Sequence, residues 1–141
     1  VIWPGKDMAK LAVWLMKDTK WTPDLDVLIV DMPSGAGDIP LEYYTTMPVD
    51  YALAVAEPGE VSSGALRRAV NLADMLRVPV MGIVENFASP TLSIARSCES
   101  IPVVASLPYD AELQRLASEG RLYDYQTDAF AYLARAVSEL R

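Results

Sequence analysis

Four strand-length apolar runs alternate with stretches of helical period across 141 residues: 27–30 "VLIV", 51–56 "YALAVA", 80–84 "VMGIV" and 103–107 "VVASL". That alternation constrains the fold more than any other feature. Runs this short, rich in branched residues and closed by Pro, Gly, Asp or Asn, read as strands buried on both faces. Between and beyond them, apolar residues recur at helical spacing over 6–18, 61–76, 111–119 and 128–140. In the first stretch Met8, Leu11, Ala12, Leu15 and Met16 form the face, with Val13 and Trp14 widening it towards full burial. In the second, Ala65, Leu66, Ala69, Leu72, Ala73 and Leu76 point inward. Strands that lead into helices predict an α/β class with a mostly parallel sheet and helices on both faces.

Length and composition narrow the class further. The chain suits one domain with a real core, and 52% hydrophobic against 22% charged residues argues against disorder. A formal charge of −7 gives no basic footprint for nucleic acid or an anionic membrane. No run of about 18 apolar residues is present, so no membrane span is expected. The absence of histidine removes the commonest acid–base group and metal ligand. The lone Cys98 rules out an intrachain disulfide framework and fits a reducing, cytoplasmic setting. It reads as an inert helix-end or core residue. The first residue is Val rather than Met, so the reading expects a longer protein around these residues.

In parallel sheets ligands meet the carboxyl ends of the strands. That rule selects four loops, 31–38, 57–59, 85–90 and 108–110, expected side by side on one edge. The loop 31–38, "DMPSGAGD", has the richest chemistry. Asp31, at a strand end, suits Mg²⁺, directly or through water, because Mg²⁺ prefers hard oxygen ligands. Gly35 and Gly37 would let backbone N–H groups approach a phosphate oxygen. A tight turn or helix cap built from Asp, Pro and Gly explains the same letters. A dinucleotide fingerprint is excluded, since Pro40 stands where its third glycine belongs.

The segment "DLDVLIVDMPSGAGDIPLEYYTTMPVDYALAV" resembles the second half of an Mrp/ApbC-type P-loop ATPase of the MinD/ParA superfamily. The family's loop reads Asp-x-Pro-Pro-Gly-Thr-Gly-Asp, with Ser34 and Ala36 standing here for its second proline and its threonine. "VPVMGIVENF" resembles the next strand with its Glu-Asn-Met end, and "LPYD" a later strand and loop. The similarity runs from about Trp3 to the C-terminus. It implies that Asp31 orders Mg²⁺ through water and that Gly35, Gly37 and Asp38 form the segment that senses the γ-phosphate of ATP. It implies that Asn86 reads adenine, its amide offering a donor and an acceptor. Pro108 to Asp110 would lie against the base. As alternatives, Asn86 caps a turn and Asp110 caps the following helix.

Two departures matter. No G-x-x-x-x-G-K-[ST] occurs, so the lysine and amides that supply most phosphate binding are not among these residues, and the chain alone is expected to be inactive as an ATPase. In the family the P-loop strand lies between the strand ending at Asp31 and the one starting near Tyr51. Its absence predicts two unpaired edges, and with them a chain that is unstable, aggregates or pairs those strands directly. The second departure is the family's Cys-x-x-Cys, which shares an Fe–S cluster across a homodimer. Phe87-Ala88-Ser89-Pro90-Thr91 stands there instead, leaving a cluster without its usual four thiolates.

The reading is therefore an ATP-binding, ATP-hydrolysing protein of the Mrp/ApbC kind without its P-loop half. An Fe–S carrier or assembly role, with Fe–S client proteins, rests on the resemblance alone. Alternatives are a MinD/ParA-like positioning ATPase or a non-catalytic interaction module. Against the first, the last helix carries a mixed polar face rather than a basic membrane-binding one. Arg67-Arg68 reads as a solvated helix face, and Tyr43-Tyr44 as packing beneath the 31–38 loop.

Overall fold

A computed structural model describes residues 4–89, 98 and 100–139. They contain α1 (Gly5–Asp18), α2 (Asp38–Thr46), β1 (Ala52–Ala56), α3 (Glu60–Met75), β2 (Val80–Ala88), β3 (Val103–Pro108), α4 (Ala111–Ser118) and α5 (Asp128–Ser138), with a 3-10 turn at Leu122–Asp124. The strands form one parallel sheet in the order β1-β2-β3. A helix, α3, joins β1 to its neighbour β2, the crossover that parallel strands require. The α/β class expected from the sequence is the class observed. The chain divides into two compact units, Val1–Ala52 with Ala65–Val80, and Leu53–Gly64 with Met81–Arg141.

In the first unit α1 packs against α2. Ala9 and Val13 are the buried residues of α1, while Met8, Trp14 and Leu15 are exposed. The apolar stripe is thus narrower than its letters suggest, and α1 is not buried all round. The helix α2 was not foreseen, because Pro40 interrupts its pattern. Pro40 sits in the first turn, where its missing N–H has no intrahelical partner to lose. Its burial with Tyr43 seats α2. Burial raises the pKa of Tyr43 and of half-buried Tyr44, as expected for hydroxyls packed away from water.

One expected strand does not form. Among the described residues 27–30 have no strand partner, and Val27, Leu28 and Ile29 are exposed, Ile29 at 83%. A strand is held by its neighbour's N–H and C=O groups, and without a neighbour the backbone stays with water.

In the second unit β2 is the central strand and carries the best-buried residues, Ile83 and Val84. β1 buries one face only: Ala52, Ala54 and Ala56 are half-buried and Leu53 and Val55 exposed, so it is not the doubly buried strand its letters suggest. α5 packs on β3. The turn residue Pro90 and the helix end Leu140 lie outside the described residues.

Candidate functional site

The expected site residues fall on the two units, and each set is described by itself. In the first unit, Asp31 lies outside any helix or strand and is exposed. The chain then bends through Ser34, Gly35 and Ala36 and enters α2 at Asp38, with Gly37 as the N-cap. Gly35 takes φ +86°, a conformation glycine adopts freely and other residues rarely. An added side chain at Gly35 or Gly37 would meet open space, so both backbones are approachable from outside.

The Asp38 side chain lies close against Gly5, an approach that the sequence did not reveal. A Cβ at Gly5 would collide with the Asp38 carboxylate, so α1 begins directly beneath that side chain. The first turn of a helix carries free N–H groups and the positive end of its dipole, which favour a carboxylate there. Gly5 is thus the residue whose bare Cα lets Asp38 sit at the start of α1. The only hint in the sequence is a Trp-Pro-Gly turn before a helical stretch.

In the second unit Asn86 lies near the end of β2, half-buried and in register with Leu107 of β3. Beneath it Glu85 is buried and accepts a hydrogen bond from Ser106 Oγ at 3.2 Å. Pro108 ends β3, and Glu57-Pro58-Gly59 follows β1. The segments after β1 and β3 therefore leave the carboxyl ends of one parallel sheet, whereas 85–88, expected as loop, continue the strand β2.

Asp110 spends its carboxylate on structure. Its Oδ1 accepts from the backbone N–H groups of Glu112 and Leu113 at the start of α4, at 2.7 and 3.4 Å, and its Oδ2 accepts from the Tyr125 hydroxyl at 2.8 Å. The Tyr125 hydroxyl first, then the two amides, hold its pKa below the usual carboxylate value. The same bond raises the pKa of Tyr125. Of the two sequence readings, the helix cap is the one these bonds satisfy, and any contact with a base falls to the backbone of 108–110.

One contact at this edge escaped the sequence reading. Phe87 and Tyr109 stack with ring centroids 6.2 Å apart and planes 21° apart. Cys98 is a free, half-buried thiol. Among the described residues no three of His, Cys, Asp and Glu gather as a metal cage, and no helix is long and apolar enough to cross a membrane.

Comparison with known proteins gives these arrangements a context. Residues 1–136 match the ParA family described as NUBPL iron-transfer P-loop NTPase. The iron–sulfur cluster carrier protein of Escherichia coli (strain K12) is 35% identical over 88 residues, covering 62% of this chain and 24% of the relative. That of Deinococcus radiodurans is 30% identical over 133 residues, 85% of this chain and 38% of the relative. A nucleotide-binding protein from Archaeoglobus fulgidus, solved in complex with ADP, superposes with TM-score 0.56 at 28% identity, over 70% of this chain and 47% of that one. The chain spans between about a quarter and a half of the length of the curated relatives it matches.

Proposed function

Because the chain belongs to the ParA/NUBPL family of iron-transfer P-loop NTPases, in which its curated relatives are Mrp/ApbC-type iron–sulfur cluster carriers, we propose that it is part of an ATP-binding and ATP-hydrolysing iron–sulfur cluster carrier or assembly factor. The family match carries the proposal, since it runs through both compact units. On the same ground residues 1–141 are read as the C-terminal part of one P-loop NTPase domain.

The residues take separate roles. Asp31 would order Mg²⁺ through water, and an exposed aspartate outside any acidic cage fits a cation that keeps several waters and shares phosphate oxygens. Mg²⁺ would neutralise charge on the transferred phosphoryl group during in-line attack by water. Gly35 and Gly37 would offer backbone N–H groups to the γ-phosphate end, and Asp38 would couple that loop to α1 through its seat at Gly5. Asn86 would read the adenine edge, with the backbone of 108–110 alongside. A homodimer, Fe–S client proteins and a cytoplasmic setting belong to the same reading. The cluster has less support in these residues, because Cys98 is the chain's one thiol and an Fe–S cluster takes four.

The test is phosphate release from Mg·ATP by the full-length protein, wild type against Asp31→Asn. Losing a carboxylate that acts through a metal-bound water costs roughly 10–100-fold in activity. An unchanged rate would remove Asp31 from the mechanism. Anaerobic reconstitution with iron and sulfide then decides the carrier role by the visible absorbance of a bound cluster.

A further inference from the structure

After an earlier register shift between Ile83 and Val84, β2 and β3 run in step from Val84 opposite Ala105 to Asn86 opposite Leu107, but Ala88 then faces Pro108. Two steps along β2 match one along β3, and Phe87 is the extra residue. Bulges are rare in parallel pairs, and they re-aim a side chain beside functional edges. Phe87 also takes φ +52°, a left-handed conformation that costs a bulky residue free energy. The ring so displayed is not core, being 48% exposed. It lies against Tyr109, itself 62% exposed and fixed from the far side by its hydroxyl donating to Gln114 Oε1 at 2.7 Å. With centroids 6.2 Å apart and planes nearly parallel, the rings are slipped, and each keeps an open face.

A strained bulge that places an aromatic ring in water calls for a ligand. Stable protein interfaces bury about 800 Å² per partner, several times what two half-exposed rings offer. A planar base needs only the stack, and the carboxyl end of a parallel sheet is where nucleotides bind. Asn86, one residue before Phe87, adds a donor and an acceptor at the same edge. We infer that the Phe87–Tyr109 pair is a stacking platform for the base of the bound nucleotide. This rests on the nucleotide-binding reading and adds a division of labour. The rings hold any base by its face, while the Asn86 amide distinguishes adenine from guanine.

The test titrates the full-length protein with millimolar AMP, GMP and ribose 5-phosphate, followed by NMR. AMP shifts the ring signals of Phe87 and Tyr109, and ribose 5-phosphate does not. Phe87→Leu, which keeps an apolar side chain, weakens AMP and GMP alike by about tenfold. Asn86→Ala removes the preference for AMP over GMP. Phe87→Gly separates binding from structure. It relieves the positive φ and raises the melting temperature, yet binds AMP as weakly as Phe87→Leu. A glycine variant that melts lower would mean the ring only packs, and would overturn the platform. AMP affinity unchanged in Phe87→Leu would overturn it while leaving nucleotide binding intact. AMP that shifts nothing overturns the platform alone if the full-length protein hydrolyses Mg·ATP, and both readings if it does not.

Discussion

Residues 27–30 and 80–84 are both short runs of branched apolar residues, yet one is solvated chain and the other the heart of a sheet. Ile83 is fully buried and Ile29 is 83% exposed. The difference is not propensity, which is alike in both. β2 has β1 and β3 on its two sides, whereas no described residue pairs with 27–30. A strand is a relation between segments, and its letters state only a readiness to enter one. The loop 31–38 hangs on the unpaired run, whereas the edge carrying Asn86, Phe87 and Tyr109 hangs on the paired one. The two sets of candidate residues thus differ in how firmly their supports are built.

Core substitution should break the comparison most sharply. Ile83→Ala removes fully buried methyl groups and should cost about 2–5 kcal/mol in urea unfolding. Ile29→Ala should stay within about 0.5 kcal/mol, as exposed positions do. Equal losses would mean that 27–30 is packed in solution. The chain is accordingly expected to melt low or aggregate, and a sharp, high circular dichroism melt by a monomer would contradict that expectation.

Hydrogen exchange sharpens the same contrast without mutation. Amides of 80–84 should be protected close to the global limit, and those of 27–30 should exchange nearly as fast as free chain. Strong protection at 27–30 would show a partner for that run.

A smaller effect comes from pH. The carboxyl of Asp110 is held below its ordinary value of 3.8 in the folded chain, by the Tyr125 hydroxyl first and the α4 amides next. Its stabilisation is therefore fully present above the ordinary carboxylate range and fades as pH falls through the folded value. Asp110→Asn should flatten the decline in melting temperature between about pH 5 and pH 2.5, with little change in shape above it. A decline equally steep in both proteins would remove Asp110 from the acid response.

How much could be read in advance follows the same division. Helices 6–18, 61–76, 111–119 and 128–140 were legible because their period is local, and so was the class they define with the strands. The strand at 27–30 was misread because pairing is not local. The helix α2 was hidden by Pro40, whose tolerance depends on its place in the first turn. The loop "DMPSGAGD" and Asn86 could be named from their letters and spacing. Gly5 beneath Asp38 and the slipped pair of Phe87 with Tyr109 could not, since each arises from residues distant in sequence meeting in space.

The measurement closest to the central claim asks where the metal goes. Mn²⁺, a paramagnetic stand-in for Mg²⁺, would be added with ATP to the ¹⁵N-labelled full-length protein, and amide broadening mapped along the sequence. The proposed role of Asp31 predicts broadening centred on 31–38 that requires ATP and disappears in Asp31→Asn. Broadening that survives Asp31→Asn, or that centres on the exposed acids Glu112 and Glu119 of the Arg115 ion pairs, would contradict it.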